Sequence, residues 1–463
     1  MVDYKKFFKG KKITVMGLGL LGRGVGDTAF LAECGADLIV TDLKTKEQLT
    51  SSLKILSKYK NITYRLGEHN LEDFVDRDMI LKAAGVPLDS IYINEARNNN
   101  PKGKQASYGA GILVEMSASL FAKLAGIPII GVTGTRGKST VTHLIAQILK
   151  LAGKNILLGG NVRGVSTLQL LKKIKKNSIA LFELDSWQLQ GFGDAKISPN
   201  VSVFTTFLDD HLNYYKGNRE LYFDDKANIF KYQKEGDVFI AGEGVVKQLP
   251  TQIKRNTLVA RAKDFPKNWK LKIPGEHNRL NAMCAILATR SMGIDERIIR
   301  KAVEGFEGIE GRLQFVREVK GVKIYNDNNS TTPDATIAAL RAVGSIKKRK
   351  VVLIVGGDDK KLDMSKLLQE MPKWCSKIVM FKERGTETIK EQVLKFKKKG
   401  IEVYEEEGLE NTVKRAFSVA KKDLPAQAGE TILYSPGFSS FGKYFINEYD
   451  RNDQFVKLVK KLK

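Results

Sequence analysis

The stretch GVTGTRGKST (131–140) follows the apolar run IPII and precedes VTHLIAQILKLAG, so it reads as a strand, a glycine turn and a helix. In TGTRGKST the glycines let successive backbone N–H groups point into one concavity, and the helix that follows adds its positive end. That combination holds phosphate. Gly134, Thr135, Arg136, Gly137, Lys138, Ser139 and Thr140 are the candidate phosphate-binding residues, with Lys138 reaching the terminal phosphates and Ser139 or Thr140 the metal that accompanies them. The eight-residue P-loop pattern needs a glycine at 132, where Val132 stands, so only the shorter TGTxGKST form is present.

A second glycine turn lies near the start of the chain. GLGLLG (17–22) follows the apolar ITVM and fits G-x-G-x-x-G, and Asp42 ends the next apolar run, LIVTD, about 20 residues on. Taken alone this is a dinucleotide clasp and points to NAD. One chain therefore carries two phosphate-holding loops of different design.

The bulk numbers frame these loops. At 463 residues the chain exceeds one core, and ~150 residues per domain predicts about three domains. Apolar content is 42% and charged content 28%, ordinary for a globular protein. No apolar run approaches the ~20 residues of a membrane span, and the start lacks a signal-peptide core, which predicts a cytoplasmic protein without membrane insertion. Cys34, Cys284 and Cys375 are far apart and show no ligand spacing. The net charge of +25 is spread as short lysine clusters without interleaved aromatics, which argues against nucleic acid and suits polyanionic small substrates.

Apolar runs continue along the chain at 78–87, 178–185 and 201–207, and after GIEGR (308–312) at 322–328, 350–357, 377–383 and 430–437, with helical patterns between them. LVEMSASLFAKLAG (113–126) reads as a helix, and the polar NNNPKGKQ (98–105) as a linker. The alternation predicts an α/β protein of three domains: a Rossmann-like domain over 1–103, a central ATPase-like domain with a mostly parallel sheet over 104–310, and a second Rossmann-like domain over 311–463.

Further segments, FELDSWQL (182–189), TTFLDDHLNYY (205–215), YFDDKANIF (222–230) and GEHNRLNAMCA (275–285), follow in order. With the phosphate loop they resemble the Mur ligase superfamily, ATP-dependent amide-forming enzymes of peptidoglycan precursor synthesis, and its MurD branch above all. The resemblance runs over nearly the whole chain. It implies ATP and two magnesium ions, with Ser139, Glu183, His211 and Lys226 as metal-site residues and Lys226 carrying a carbamate. It places Lys138, Glu183, His211 and Lys226 in the catalytic set, Asn278 and Asn281 at the ATP base, and Arg312 and Asp327 at the same nucleotide. Thr206 replaces an asparagine of the family pattern.

In that branch the first glycine loop holds the UDP part of UDP-MurNAc-L-alanine, which assigns Gly19, Leu20, Leu21 and Asp42 to the substrate, with Gly85 of AAGVP and Asn161 of GGNVRG. The third domain brings the amino acid. GGDDKKLDM (356–364) and YSPGFSSFGKYFINEYDRNDQF (434–455) resemble branch motifs and assign Lys360 and Ser440 to D-glutamate, although the second match needs one inserted residue between Phe441 and Phe445. In YNDNNSTTPDAT (325–336) Asp327 and Thr331 are kept, but Asn329 stands where the branch has a lysine on the D-glutamate carboxylate. A charge-assisted bond is lost there unless another cation substitutes.

The expected activity is therefore ATP-dependent joining of D-glutamate to UDP-MurNAc-L-alanine through an acyl phosphate, by a monomer with small-molecule substrates. A Mur-type ligase for another amino acid is the near alternative. An NAD-dependent oxidoreductase leaves TGTRGKST and Lys226 unexplained, and a nucleic-acid ATPase lacks its acid-rich second strand, since FELD is not a run of four apolar residues ended by Asp.

Overall fold

The computed structural model describes residues 2–20, 22–87, 89–98, 111–210, 214–345, 350–422, 430–440 and 442–463. Leu21, His211, Phe441 and most of the expected linker, 99–105, lie outside them. Three sheets carry the chain. The first contains β1 (Lys12–Met16), β2 (Asp37–Asp42), β3 (Ile62–Leu66), β4 (Met79–Lys82) and β5 (Leu113–Glu115), in the order β3-β2-β1-β4-β5, all parallel. The second contains β6 (Ile129–Thr133), β7 (Asn155–Gly160), β8 (Ser178–Glu183), β9 (Val201–Phe204), β10 (Val238–Gly242) and β11 (Thr257–Ala260), ordered β11-β10-β9-β6-β8-β7 and again all parallel. The third contains β12 (Gln314–Val319), β13 (Val322–Asn326), β14 (Val351–Val355), β15 (Cys375–Phe381), β16 (Glu402–Glu406) and β17 (Thr431–Tyr434). Its order is β12-β13-β17-β14-β15-β16, with β12 antiparallel to β13.

The continuous apolar runs became central strands because helices cover both faces of a parallel sheet. β6, β9 and β14 are buried at every position. The expected helix over 113–126 is corrected at its start: Leu113–Glu115 pairs with β4 as an edge strand, and the helix begins only at Ser117.

The chain forms two compact units, residues 1–261 with 283–299, and residues 262–282 with 300–463. The first unit holds the first two sheets. Helix α1 (Arg23–Glu33) follows the first glycine loop, and α2 (Ser117–Ala125) leads into the second sheet. Asp27 of α1 joins them. Its carboxylate accepts from Ser166 Oγ at 2.6 Å, from Leu168 N at 3.2 Å and from the Ser117 hydroxyl. Burial pushes its pKa up against the opposing pull of those donors. Gly26, one residue before, has no room for a side chain: a Cβ would lie 2.5 Å from Ser166 Cβ.

All three cysteines are buried and free. Burial raises the Cys34 thiol to about 11 and Cys284 to about 12, and raises Cys375 further.

Asp27→Ala strands two hydroxyl donors and one backbone N–H in a buried seam. The expected cost is about 2–3 kcal/mol, seen as a lower urea midpoint for the first unit. An unchanged midpoint removes Asp27 from the seam's energetics.

Candidate functional site

The phosphate loop leaves β6 and enters α3 (Lys138–Leu151). Gly134 has φ +145° and Gly137, the N-cap of α3, φ +89°, both outside the range of ordinary side chains. At Gly134 a Cβ would lie 2.0 Å from Thr205 Oγ1, so only glycine closes this turn. The segment after β9 holds the loop in place. Thr135 N donates to Thr206 O at 2.7 Å and Arg136 N to Thr206 Oγ1 at 2.9 Å, while Thr135 Oγ1 lies 3.2 Å from Tyr222 Oη. The threonine that departs from the family pattern thus fixes the loop by backbone and side chain together. Arg136 reaches Asp210 at 3.3 Å.

Two lysines meet at this loop. Lys138 Nζ donates to Gly134 O at 2.9 Å, and Lys226 Nζ donates to the same carbonyl at 3.1 Å. Lys226 belongs to α5 (Arg219–Ala227), which follows α4 (Ser186–Ala195) in the chain, and is 1% exposed. Burial drives its pKa well below that of a free lysine, and the neighbouring Lys138 charge drives it further. Asp225, the preceding residue, anchors α5: it accepts from Gln190 Nε2 of α4 at 2.8 Å and from Tyr215 Oη at 2.9 Å.

Glu183 ends β8, the strand beside β6, and is buried, as are Ser139 and Thr140. Its carbonyl accepts from Asn161 N at 2.7 Å. Gly160 faces it across the β7–β8 pair, and a Cβ there would lie 2.2 Å from that carbonyl. Among the described residues no group of three His, Cys, Asp or Glu side chains is clustered for a metal. Ser139, at the start of α3, and Glu183, at the end of the neighbouring strand, are among the oxygen-bearing side chains that could hold a metal beside the loop. His211 lies outside the described residues, so its role rests on sequence alone.

The first glycine loop is built from left-handed Gly17, Gly19 and Gly22. Asp42 serves it structurally: Oδ2 accepts from Gly19 N at 3.0 Å and Oδ1 from Lys44 N at 2.9 Å. Leu20 is exposed beside it. Gly85 has open space where a Cβ would go. Asn161 accepts from Arg23 Nη1 at 2.6 Å.

In the second unit, Asp327 is 6% exposed and accepts from Leu313 N at 2.9 Å, Ser435 Oγ at 2.9 Å and the Ser330 hydroxyl. Burial raises its pKa to about 6, with the Arg312 charge pulling the other way. Asn329 N donates to Gly311 O at 2.9 Å, and its Oδ1 accepts from Asn328 Nδ2 at 3.0 Å. Lys360 Nζ donates to Thr331 Oγ1 at 3.0 Å, which brings a cation within two residues of Asn329 along the chain. Ser440 is buried. In helix α6 (Glu276–Ser291), Asn278 Nδ2 donates to Pro274 O at 2.7 Å and Asn281 Nδ2 to Asn278 Oδ1 at 3.2 Å.

Comparison with known proteins matches residues 132–259 to the Mur ligase middle domain and residues 311–436 to the Mur ligase glutamate ligase domain. The UDP-N-acetylmuramoylalanine–D-glutamate ligase of Roseiflexus sp. strain RS-1 is 34% identical, over 97% of this chain and 98% of its own length. The proteins of that name from Borreliella burgdorferi strain ZS7 and Clostridioides difficile strain 630 are 32% and 30% identical, over 98% and 94% of this chain and 98% and 95% of their own lengths. This chain belongs to the Mur ligase family. It shares the fold of UDP-N-acetylmuramate-alanine ligase MurC from Thermotoga maritima, at TM-score 0.60 and 20% identity over 98% of this chain and all of that one. MurF from Acinetobacter baumannii gives TM-score 0.59 at 13% identity, over all of this chain and 93% of that one.

Three residues of this Mur ligase escape sequence reasoning. Arg451, on α8 (Glu448–Lys461), which follows α7 (Pro333–Val343), is wholly buried and donates to Asn328 Oδ1 at 2.9 Å, Asn328 O at 2.8 Å and Ser439 O at 3.1 Å. It binds the Asn329 segment to the Ser440 segment. Lys82 is 2% exposed at the end of β4, and burial lowers its pKa to about 8. Arg23 opens α1. Nothing in a single sequence distinguishes these cations from the many surface ones.

Asp327 carries a pH signature. Its folded pKa of about 6 lies above the unfolded 3.8, so the folded state holds the proton more tightly. That contribution is full below the unfolded value and is lost as pH rises through about 6, roughly 3 kcal/mol at ~1.4 kcal/mol per unit. Asp327→Asn removes it. Urea unfolding at pH 4.5, 5.5 and 7 is expected to show wild type losing stability relative to the variant as pH rises; parallel curves would contradict the assignment.

Proposed function

We propose that this chain joins D-glutamate to UDP-N-acetylmuramoyl-L-alanine using ATP, in peptidoglycan precursor synthesis. Its membership of the Mur ligase family makes it an ATP-dependent ligase, and the substrate pair is the one named in its full-length relatives. The observation that carries the chemistry is the convergence of Lys138 and Lys226 on the Gly134 carbonyl inside a loop only glycine can close. The division of labour follows the expected domains: 1–103 for the UDP part through Gly19, Leu20, Leu21, Asp42 and Gly85, with Asn161 added from the second domain, 104–310 for ATP, and 311–463 for the amino acid through Asn329, Thr331, Lys360 and Ser440.

A carboxylate is a poor electrophile. Transfer of the terminal phosphoryl group to the acceptor carboxylate gives an acyl phosphate and ADP. The amine of the incoming amino acid then attacks the carbonyl carbon, and phosphate leaves with the bonding pair. The loop N–H groups and Lys138 hold and neutralise the transferring phosphate. Two magnesium ions would supply further charge neutralisation, held by Ser139, Glu183, His211 and a carbamate on Lys226. The Lys226 environment supports that last role. A buried amine beside another ammonium is kept neutral, and a neutral amine is the form that adds to carbon dioxide. The resulting carbamate is an anion, which relieves the repulsion from Lys138. Asn278, Asn281 and Arg312 are assigned to the nucleotide, together with Asp327.

Lys226→Ala is expected to lose nearly all turnover, and formate or acetate to restore part of it by occupying the place of the carbamate. Phosphate release with and without the added acid is the measurement. High activity in the unrescued variant would end the carbamate assignment.

Asn329 leaves the amino-acid carboxylate with one fewer cation than the branch pattern supplies. Without compensation the loss is about 1.5–3 kcal/mol, or about 10- to 100-fold in affinity. D-glutamate is therefore expected to be the best substrate with a raised KM, and Asn329→Lys to lower that KM at little change in kcat, as uniform binding requires. Phosphate release with D-Glu, L-Glu, D-Asp, L-Lys and meso-diaminopimelate decides it. A higher kcat/KM for any other amino acid overturns the substrate and leaves the ligase class standing.

A further inference from the structure

We propose that Arg23 binds the diphosphate of the nucleotide-sugar substrate and positions Asn161 at the same time; this rests on the reading that the first glycine loop holds the UDP part. In a loop of this design the nucleoside end lies toward the acid after the next strand, and the diphosphate lies at the start of the helix. Asp42 marks the first end by its bond from Gly19 N. Arg23 is the first residue of α1 and stands at the second. Its N-cap, Gly22, has φ +80° and no side chain to cap the helix.

The bonding of Arg23 leaves it open to an anion. Among the described residues its one hydrogen bond runs from Nη1 to Asn161 Oδ1 at 2.6 Å, and it forms no ion pair. Asp27 senses its charge, but that carboxylate is already engaged by Ser117, Ser166 and Leu168. The guanidinium therefore keeps N–H groups in a planar fork that matches phosphate oxygens. The Asn161 bond holds the fork in one orientation, so little side-chain freedom remains to be lost on binding. Asn161 N in turn donates to Glu183 O, so the residue that grips the diphosphate is two bonds from the strand end carrying the Glu183 carboxylate. Arg23 acts on binding and placement of the acceptor and takes no part in bond making.

The test titrates UDP, uridine and ATP into the full-length wild type, Arg23→Leu and Arg23→Lys. Arg23→Leu is expected to weaken UDP about 10- to 100-fold while uridine and ATP stay within about threefold. Arg23→Lys recovers part of the loss, because it keeps the charge and loses the fork. A residue that only buttresses the seam weakens UDP and uridine alike, and that result, or no change in either, overturns the proposal. Should Arg23→Leu fail to fold, the UDP-to-uridine ratio of Arg23→Lys against wild type decides instead. A wild type that binds UDP no better than uridine overturns the reading of the loop itself, and this role with it.

Discussion

The site in the first unit depends on one carbonyl. Gly134 can turn its backbone into the left-handed region only because it lacks a side chain, and the turned carbonyl receives two ammonium groups. Two like charges sharing one acceptor in a buried place cannot both persist cheaply. One of them must shed its proton, bind an anion or be chemically converted. The buried member, Lys226, is the one under pressure, and the Asp225 anchor to α4 prevents it from swinging away. The loop thus carries an excess of positive charge that a bound anion would offset.

How much of this was legible depends on what each residue was asked to do. TGTRGKST announced itself, because glycines, a lysine and hydroxyls at that spacing have few other uses between strand and helix. The fully apolar strands were legible for the same reason: β6 and β14 bury every side chain and have no polar face to confuse the pattern. Edge strands were not. ITYRL in β3 is only half covered, and three residues in β5 carry too little pattern to separate a strand from the helix that follows. β7 ends in two glycines, one of which is required by the close approach of Glu183 O.

Site residues divide along the same line. Lys226 was found only because a family pattern pointed to it; alone it is one of many lysines. Asp42 reads as a ligand for the nucleotide, and the structure adds that one of its oxygens secures the loop at Gly19 N while the other holds its own turn at Lys44 N. Thr206 departs from the family pattern, yet its value lies in the two bonds it accepts, from Thr135 N and Arg136 N. Asp27, Arg23 and Arg451 act through partners 90 or more residues away in the chain, and no local spacing encodes such a pairing.

The three buried thiols have a practical consequence. Thiolate is the reactive form, and a thiol near 11 is ionised to only about one part in ten thousand at neutral pH. Burial and low ionisation together slow the reaction of maleimide and iodoacetamide reagents with Cys34, Cys284 and Cys375 while the chain is folded. A single cysteine introduced on the surface can carry a fluorophore or spin label with the native thiols in place. The same three positions become reactive on unfolding, so the natural sequence already contains its own chemical reporter of how often each buried region opens.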